Sequence, residues 1–150
     1  YVGEPWSSLA VRERTGWIAA LSSALAPGHP EKVLMVREDF AVARAEEHLA
    51  LVAALAEAAA LCDDPAYRPG LVKLLGRPEY LDMPARILSP ALVGPLALGA
   101  DHEPAPAEGV VRFHAAEAGV PSPARAQWII DGLARHGLIP AGRALPPDPA

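Results

Sequence analysis

The sequence has 150 residues, the size of one ordinary domain, with 51% apolar residues, 18 acidic against 13 cationic side chains and a net charge of -5. That balance lacks the basic stripe of a phosphate-backbone binder, which argues against nucleic acid as a direct ligand. The single cysteine, Cys62, excludes an internal disulfide framework and a multi-thiolate metal site, and no apolar run approaches the roughly 18 residues of a membrane-spanning helix.

Thirty-one alanines, one threonine, one glutamine and no asparagine describe a folded, helix-rich chain. It opens on Tyr1-Val2-Gly3-Glu4-Pro5-Trp6, without an initiator Met or a signal-like segment, and is expected to be part of a longer protein with any export signal upstream. Eleven of the cationic residues are Arg, and Lys32 and Lys73 are the two lysines.

In chain order, Glu4-Pro5 starts a short helix over residues 4–14, with proline in its first turn, an acid near its N-terminus and Gly16 as its stop. The apolar run Gly16-Trp17-Ile18-Ala19-Ala20-Leu21 is too brief for a typical helix and reads as a buried strand. Ala26-Pro27-Gly28-His29-Pro30 is a turn, and Lys32-Val33-Leu34-Met35-Val36 a second buried strand. A long helix is expected from about Ala41 to Cys62, with apolar residues on more than one side and therefore covered on more than one face. Asp63-Asp64-Pro65 stops it, a further helix runs over residues 65–75 to Gly76, and Pro78 and Pro84 open short helical turns. Residues 99–109 are expected to be an exposed loop. Ser122-Pro123 caps a final helix that carries Trp128, Ile129 and Leu133 and ends at Gly137. Residues 143–150, with three prolines, read as a disordered tail behind one folded unit of residues 1–142.

None of the usual catalytic constellations is present, so an enzyme is not expected. Asp101-His102-Glu103 suits a solvated loop better than a metal site, since neighbouring residues rarely converge on one ion. Cys62 reads as a small buried hydrophobe, Asp63-Asp64 as helix-stop chemistry, and His48, His114 and His136 have no partner at a telling spacing. Two motifs stay open between a site and a structural role. His29-Pro30-Glu31-Lys32 puts a lysine at the entrance of the second expected strand, where α/β folds gather ligands; a lysine snorkelling beside Glu31 is the alternative. In Gly3-Glu4-Pro5-Trp6, a glycine at a helix start lets backbone N–H groups approach an anion; the alternative is a tight turn with a core tryptophan.

Gly3-Glu4-Pro5-Trp6, then Pro27-Gly28-His29-Pro30-Glu31-Lys32-Val33-Leu34, then Cys62-Asp63-Asp64-Pro65 and Pro78-Glu79-Tyr80 closely resemble the C-terminal half of the nitrate- and bicarbonate-binding proteins of ABC importers. The match runs in order from Tyr1 to about Gly137. The resemblance implies an α/β fold, the helix-rich C-terminal part of a two-lobed periplasmic-binding-protein fold of type II, closing on a small anion: nitrate, nitrite or bicarbonate. It implies no cofactor. In the nitrate-binding members the positions matching Gly3 and Lys32 line the ion site, with Glu4, Trp6 and His29 as supporting residues of the same motifs. Gly3 would offer a backbone N–H and Lys32 a point charge.

The sequence departs from the family at Ser7, where Asn is common, and over Val120-Pro121-Ser122-Pro123-Ala124-Arg125-Ala126-Gln127-Trp128, where importer components usually carry an aromatic and basic segment. Two functions follow from the resemblance. One is an anion-binding component of an ABC importer in the periplasm or cell envelope, partnered by the permease and ATPase. The alternative is a cytoplasmic nitrate/nitrite sensor partnered by an antiterminator protein. A chain that is part of a two-lobed fold is also expected to leave apolar faces uncovered.

Overall fold

The structure, a computed structural model, describes residues 1–99, 101–106 and 110–143. Seven α-helices carry the described residues: α1 Trp6–Arg12, α2 Ser22–Leu25, α3 Glu38–Ala43, α4 Ala45–Asp63, α5 Arg68–Leu75, α6 Ala85–Leu92 and α7 Pro123–Arg135, with a 3-10 turn at Ala115–Glu117. Among the described residues the one extended pairing is an isolated antiparallel bridge between Leu96 and Ala105, closed by two N–H to carbonyl bonds of 2.8 and 2.9 Å. Leu96, held inside that bridge, is fully buried.

The core lies where α5 and α6 meet. Pro84 precedes α6, whose Ile87, Leu88, Ala91 and Leu92 fall at helical spacing and are all buried. Leu71 and Val72 of α5 pack on Leu88 and Leu92, and Cys62, Leu75, Met83 and Phe113 close the cluster. Gly76 lets the chain turn between the two helices: a Cβ there would stand 2.9 Å from the carbonyl oxygen of Met83, so a larger residue would push the connection apart. The first helix α1 packs on the other side of α6, and α4 touches α3 and α5.

Helix boundaries follow side-chain chemistry. Glu4 caps α1 by accepting the Ser8 N–H at 3.3 Å. Asp64 accepts the N–H of Ala66 at 2.8 Å, and this local turn delays α5 from the expected residue 65 to Arg68. Ser122 accepts the Arg125 N–H at 3.2 Å with Pro123 in the first turn, as the sequence predicts for α7, and Gly137 follows at φ 70°.

Several expectations are corrected. The two buried strands do not form. Residues 16–21 are extended without a ladder, held by one bond from the Ile18 N–H to the Leu98 carbonyl at 2.8 Å. Residues 32–36 are likewise irregular, and Met35 is 86% exposed. A strand needs a neighbour to take a run of its N–H and carbonyl groups; among the described residues, 16–21 have the single bond to Leu98 and 32–36 have none. Lys32 therefore does not stand at the end of a strand. Nor does the expected helix of residues 41–62 run unbroken: Arg44 adopts φ -129° and ψ 48°, which separates α3 from α4. No residue of α4 is buried, although Leu49, Leu51, Val52 and Leu55 are apolar and point to several sides. The short helix α2, with no capping side chain and only four residues, has no counterpart in the sequence reading.

Residue 100, residues 107–109 and residues 144–150 fall outside the described residues, so the expected tail and part of the expected loop lie there. No helix among the described residues is long and apolar enough to cross a membrane.

Candidate functional site

The chain segments that carry the two motifs are linked by one exposed side-chain contact. The Tyr1 hydroxyl donates to Glu31 Oε1 at 3.3 Å, joining the strand of chain that carries Gly3 to the stretch that carries Lys32. Gly3 itself is exposed, nothing crowds the space where its side chain would be, and its carbonyl accepts the Trp6 N–H at 3.1 Å. Among the described residues no acceptor takes the Gly3 N–H. Lys32 extends into solvent with its side chain 91% exposed and its ammonium 3.9 Å from Glu31, a long and weak ion pair.

The supporting residues divide. Glu4 is spent on the cap of α1. Trp6, at the start of α1, is more than half exposed, so it is not a core residue of this chain. His29 is built into the turn. Its Nδ1 lies 2.8 Å from the Ala26 carbonyl, which makes Nδ1 the protonated nitrogen, and the His29 N–H bonds the same carbonyl at 3.1 Å. Gly28, at φ 75°, supplies the left-handed step that closes the turn. The remaining ring nitrogen, Nε2, is buried and unpartnered among the described residues.

The sequence reading missed what lies behind His29. The Trp128 ring of α7 stands 6.3 Å from the imidazole, tilted by 43°. Between the turn and α7 lies a cavity of about 420 Å³ lined by Leu25, Pro27, Gly28, His29, Arg125 and Trp128, among others. Trp128 sits in the segment that departs from the family, and that departure was the available signal. His29 therefore faces α7 and anchors the turn from behind, while Lys32 projects elsewhere.

A second polar cluster is more deeply set. Asp63, the last residue of α4, accepts the backbone N–H of Phe113 at 3.1 Å, of His114 at 2.8 Å and of Ala115 at 2.7 Å, and pairs with Arg68 at 3.2 Å. Burial pushes the Asp63 carboxyl up, but these four donors together outweigh it and hold the group below the ordinary carboxylate range. Burial, with the Asp63 charge adding to it and Arg68 opposing, raises the thiol of the neighbouring, partly buried Cys62. Among the described residues no three His, Cys, Asp or Glu side chains converge as a metal site would require.

The fold and the paired motifs define the class as the helix-rich part of a periplasmic solute-binding fold. The described chain superposes on the crystal structure of the periplasmic nitrate-binding protein NrtA from Synechocystis PCC 6803 with a TM-score of 0.89 and 25% identity, covering 94% of this chain and 37% of that one. In sequence it is similar to the nitrate import ATP-binding protein NrtC of Synechocystis, 36% identical over 138 residues, which are 92% of this chain and 21% of the relative. It is equally similar to the bicarbonate transport ATP-binding protein CmpC of Synechococcus elongatus, 37% identical over 144 residues, 95% of this chain and 20% of the relative. The chain thus spans about a fifth of these curated relatives. The NMT1-like family profile matches residues 1–76, and the chain belongs to that family.

Proposed function

We propose that this chain is part of the anion-binding unit of an ABC-type importer for nitrate, nitrite or bicarbonate, resident in the periplasm or cell envelope, and that residues 1–142 form one folded portion of that unit. The observation that carries the reading is the close superposition on a nitrate-binding protein over nearly the whole chain, with the Gly3 and Lys32 motifs joined through the Tyr1–Glu31 bond. Gly3 offers its N–H, and Lys32 its ammonium, to a singly charged oxyanion. Glu4 fixes the start of α1, and His29 holds the turn before Lys32 in shape. Capture needs no bond making, only a better fit of the anion to the closed state than to the open one.

NrtC and CmpC carry import and transport names and NrtA is a periplasmic nitrate-binding protein, which favours the importer over a sensor that acts on an antiterminator. NrtC and CmpC are themselves ATP-binding proteins, and this supports a second reading, in which the anion-binding unit is carried on the ATP-binding subunit. ATP binding by the full-length protein separates the two readings.

Calorimetry of the full-length protein with nitrate, nitrite and bicarbonate tests the site. Lys32→Ala is expected to weaken binding of the preferred anion about tenfold or more, some 1.4 kcal/mol. Unchanged affinity in that variant removes Lys32 from the site.

A further inference from the structure

The Cys62-Asp63-Asp64-Pro65 motif has no part in the anion site proposed above, yet its Asp63 accepts from four donors. Asp63 and Arg68 are both mostly buried. Three successive backbone N–H groups, from Phe113, His114 and Ala115, converge on the Asp63 carboxylate from a segment about 50 residues further along the chain. Successive N–H groups aimed at one point form a nest, the arrangement with which a backbone holds free anions. Here the chain supplies the anion itself.

Arg68 completes the junction. Its guanidinium donates to the Cys62 carbonyl at 3.2 Å, the Leu92 carbonyl at 2.8 Å and the Val111 carbonyl at 3.4 Å, besides Asp63. One ion pair therefore ties the end of α4, the start of α5, the end of α6 and the segment around residues 111–115. That segment is in turn fastened to α7, because Arg125 Nη1 donates to the Glu117 carbonyl at 2.7 Å and to the Val120 carbonyl. The helix so placed carries Trp128 against His29.

The geometry points to Asp63 acting as a tethered anion that latches residues 111–120, and with them the start of α7, onto the α4–α5–α6 unit. A carboxylate tethered in the same chain is present at an effective concentration of order millimolar or above. A dilute oxyanion therefore does not displace it, and the nest fastens the fold without competing for cargo. Neutralising the carboxylate opens the latch, because a protonated acid is a poor acceptor for three N–H donors and loses its attraction for Arg68. Arg68 is the charge facing it from α5, Cys62 and Asp64 flank it in sequence at the end of α4, and the latched segment contributes its backbone N–H groups and His114.

Amide hydrogen exchange in the full-length protein tests the latch, with the α5 amides as an internal reference. Asp63→Asn is expected to speed exchange at Phe113, His114 and Ala115 about tenfold or more while α5 is unchanged. In Asp63→Ala, added formate is expected to refill the nest and restore part of the protection. Equal exchange in wild type and Asp63→Asn overturns the proposal, and so does a nest in Asp63→Ala that is indifferent to formate. Where the variants do not fold, acid titration of the wild type decides. Protection at the three amides lost together with Asp63 ionisation supports the latch; protection independent of that ionisation overturns it.

Discussion

Two helical regions of similar apolar character behave in opposite ways. In α5 and α6, Leu71, Val72, Leu88 and Leu92 disappear into a shared core, Leu88 being 3% exposed. In α4 the leucines, valines and alanines are spread around the helix, and none is buried; Leu49 is 68% exposed. The difference teaches that apolar content does not bury a helix. A stripe can be satisfied by one neighbour, whereas a helix apolar on several sides needs several; among the described residues α4 meets mainly α3 and α5, and residues 113–115 reach its last residue, Asp63.

The sharpest way to break that comparison is a pair of truncations in the chain. Leu88→Ala removes a buried side chain from the α5–α6 core and is expected to cost about 2–5 kcal/mol in chemical unfolding. Val52→Ala on α4 is expected to stay within about 0.5 kcal/mol, as at other exposed positions. A large cost at Val52 in the full-length protein, set against a small one in this chain, would show that α4 is covered there.

Ser122→Ala comes next, at about 1 kcal/mol, because it removes the side chain that caps α7. A circular dichroism melt of the variant against wild type reads this directly. The smallest and most conditional effect is on pH. Asp63 is held below its ordinary range in the folded state, so the unfolded chain binds more protons and stability rises with pH through this group. Its contribution is fully present above the usual carboxylate value of about 4 and is lost as pH falls below that through the folded value. Melting temperature is therefore expected to fall more steeply from about pH 4 to pH 2 in wild type than in Asp63→Asn.

Helices with both a stripe and a stop were legible in the sequence. Ser122, Pro123 and Gly137 marked α7 at both ends, and Pro84 marked the start of α6. Residues 16–21 and 32–36 were misread, because a short apolar run carries no information on whether a partner strand lies beside it. At the candidate site, Gly3 and Lys32 were visible as members of motifs, whereas the Tyr1–Glu31 bond and the Trp128–His29 contact join residues distant in sequence and left no local trace. Asp63 shows the limit most plainly. The sequence reading assigned the acid pair before Pro65 to helix-stop chemistry, and Asp64 does perform it. Its neighbour Asp63 faces the other way and binds residues 113–115.

By itself the sequence determined the helix-rich character of the chain, both ends of α7 and the stops of α4 and α5, and, through ordered motifs, its kinship with anion-binding proteins. These depend on side-chain type and spacing over a few residues, which is the range over which helix propensity and capping act. The tertiary structure alone decided which apolar faces are buried, that the extended segments stay unpaired among the described residues, and that Asp63 is given to a backbone nest. Each depends on which groups meet across the fold, and a hydrogen-bond donor or an apolar face acquires its energy only when its partner is in place.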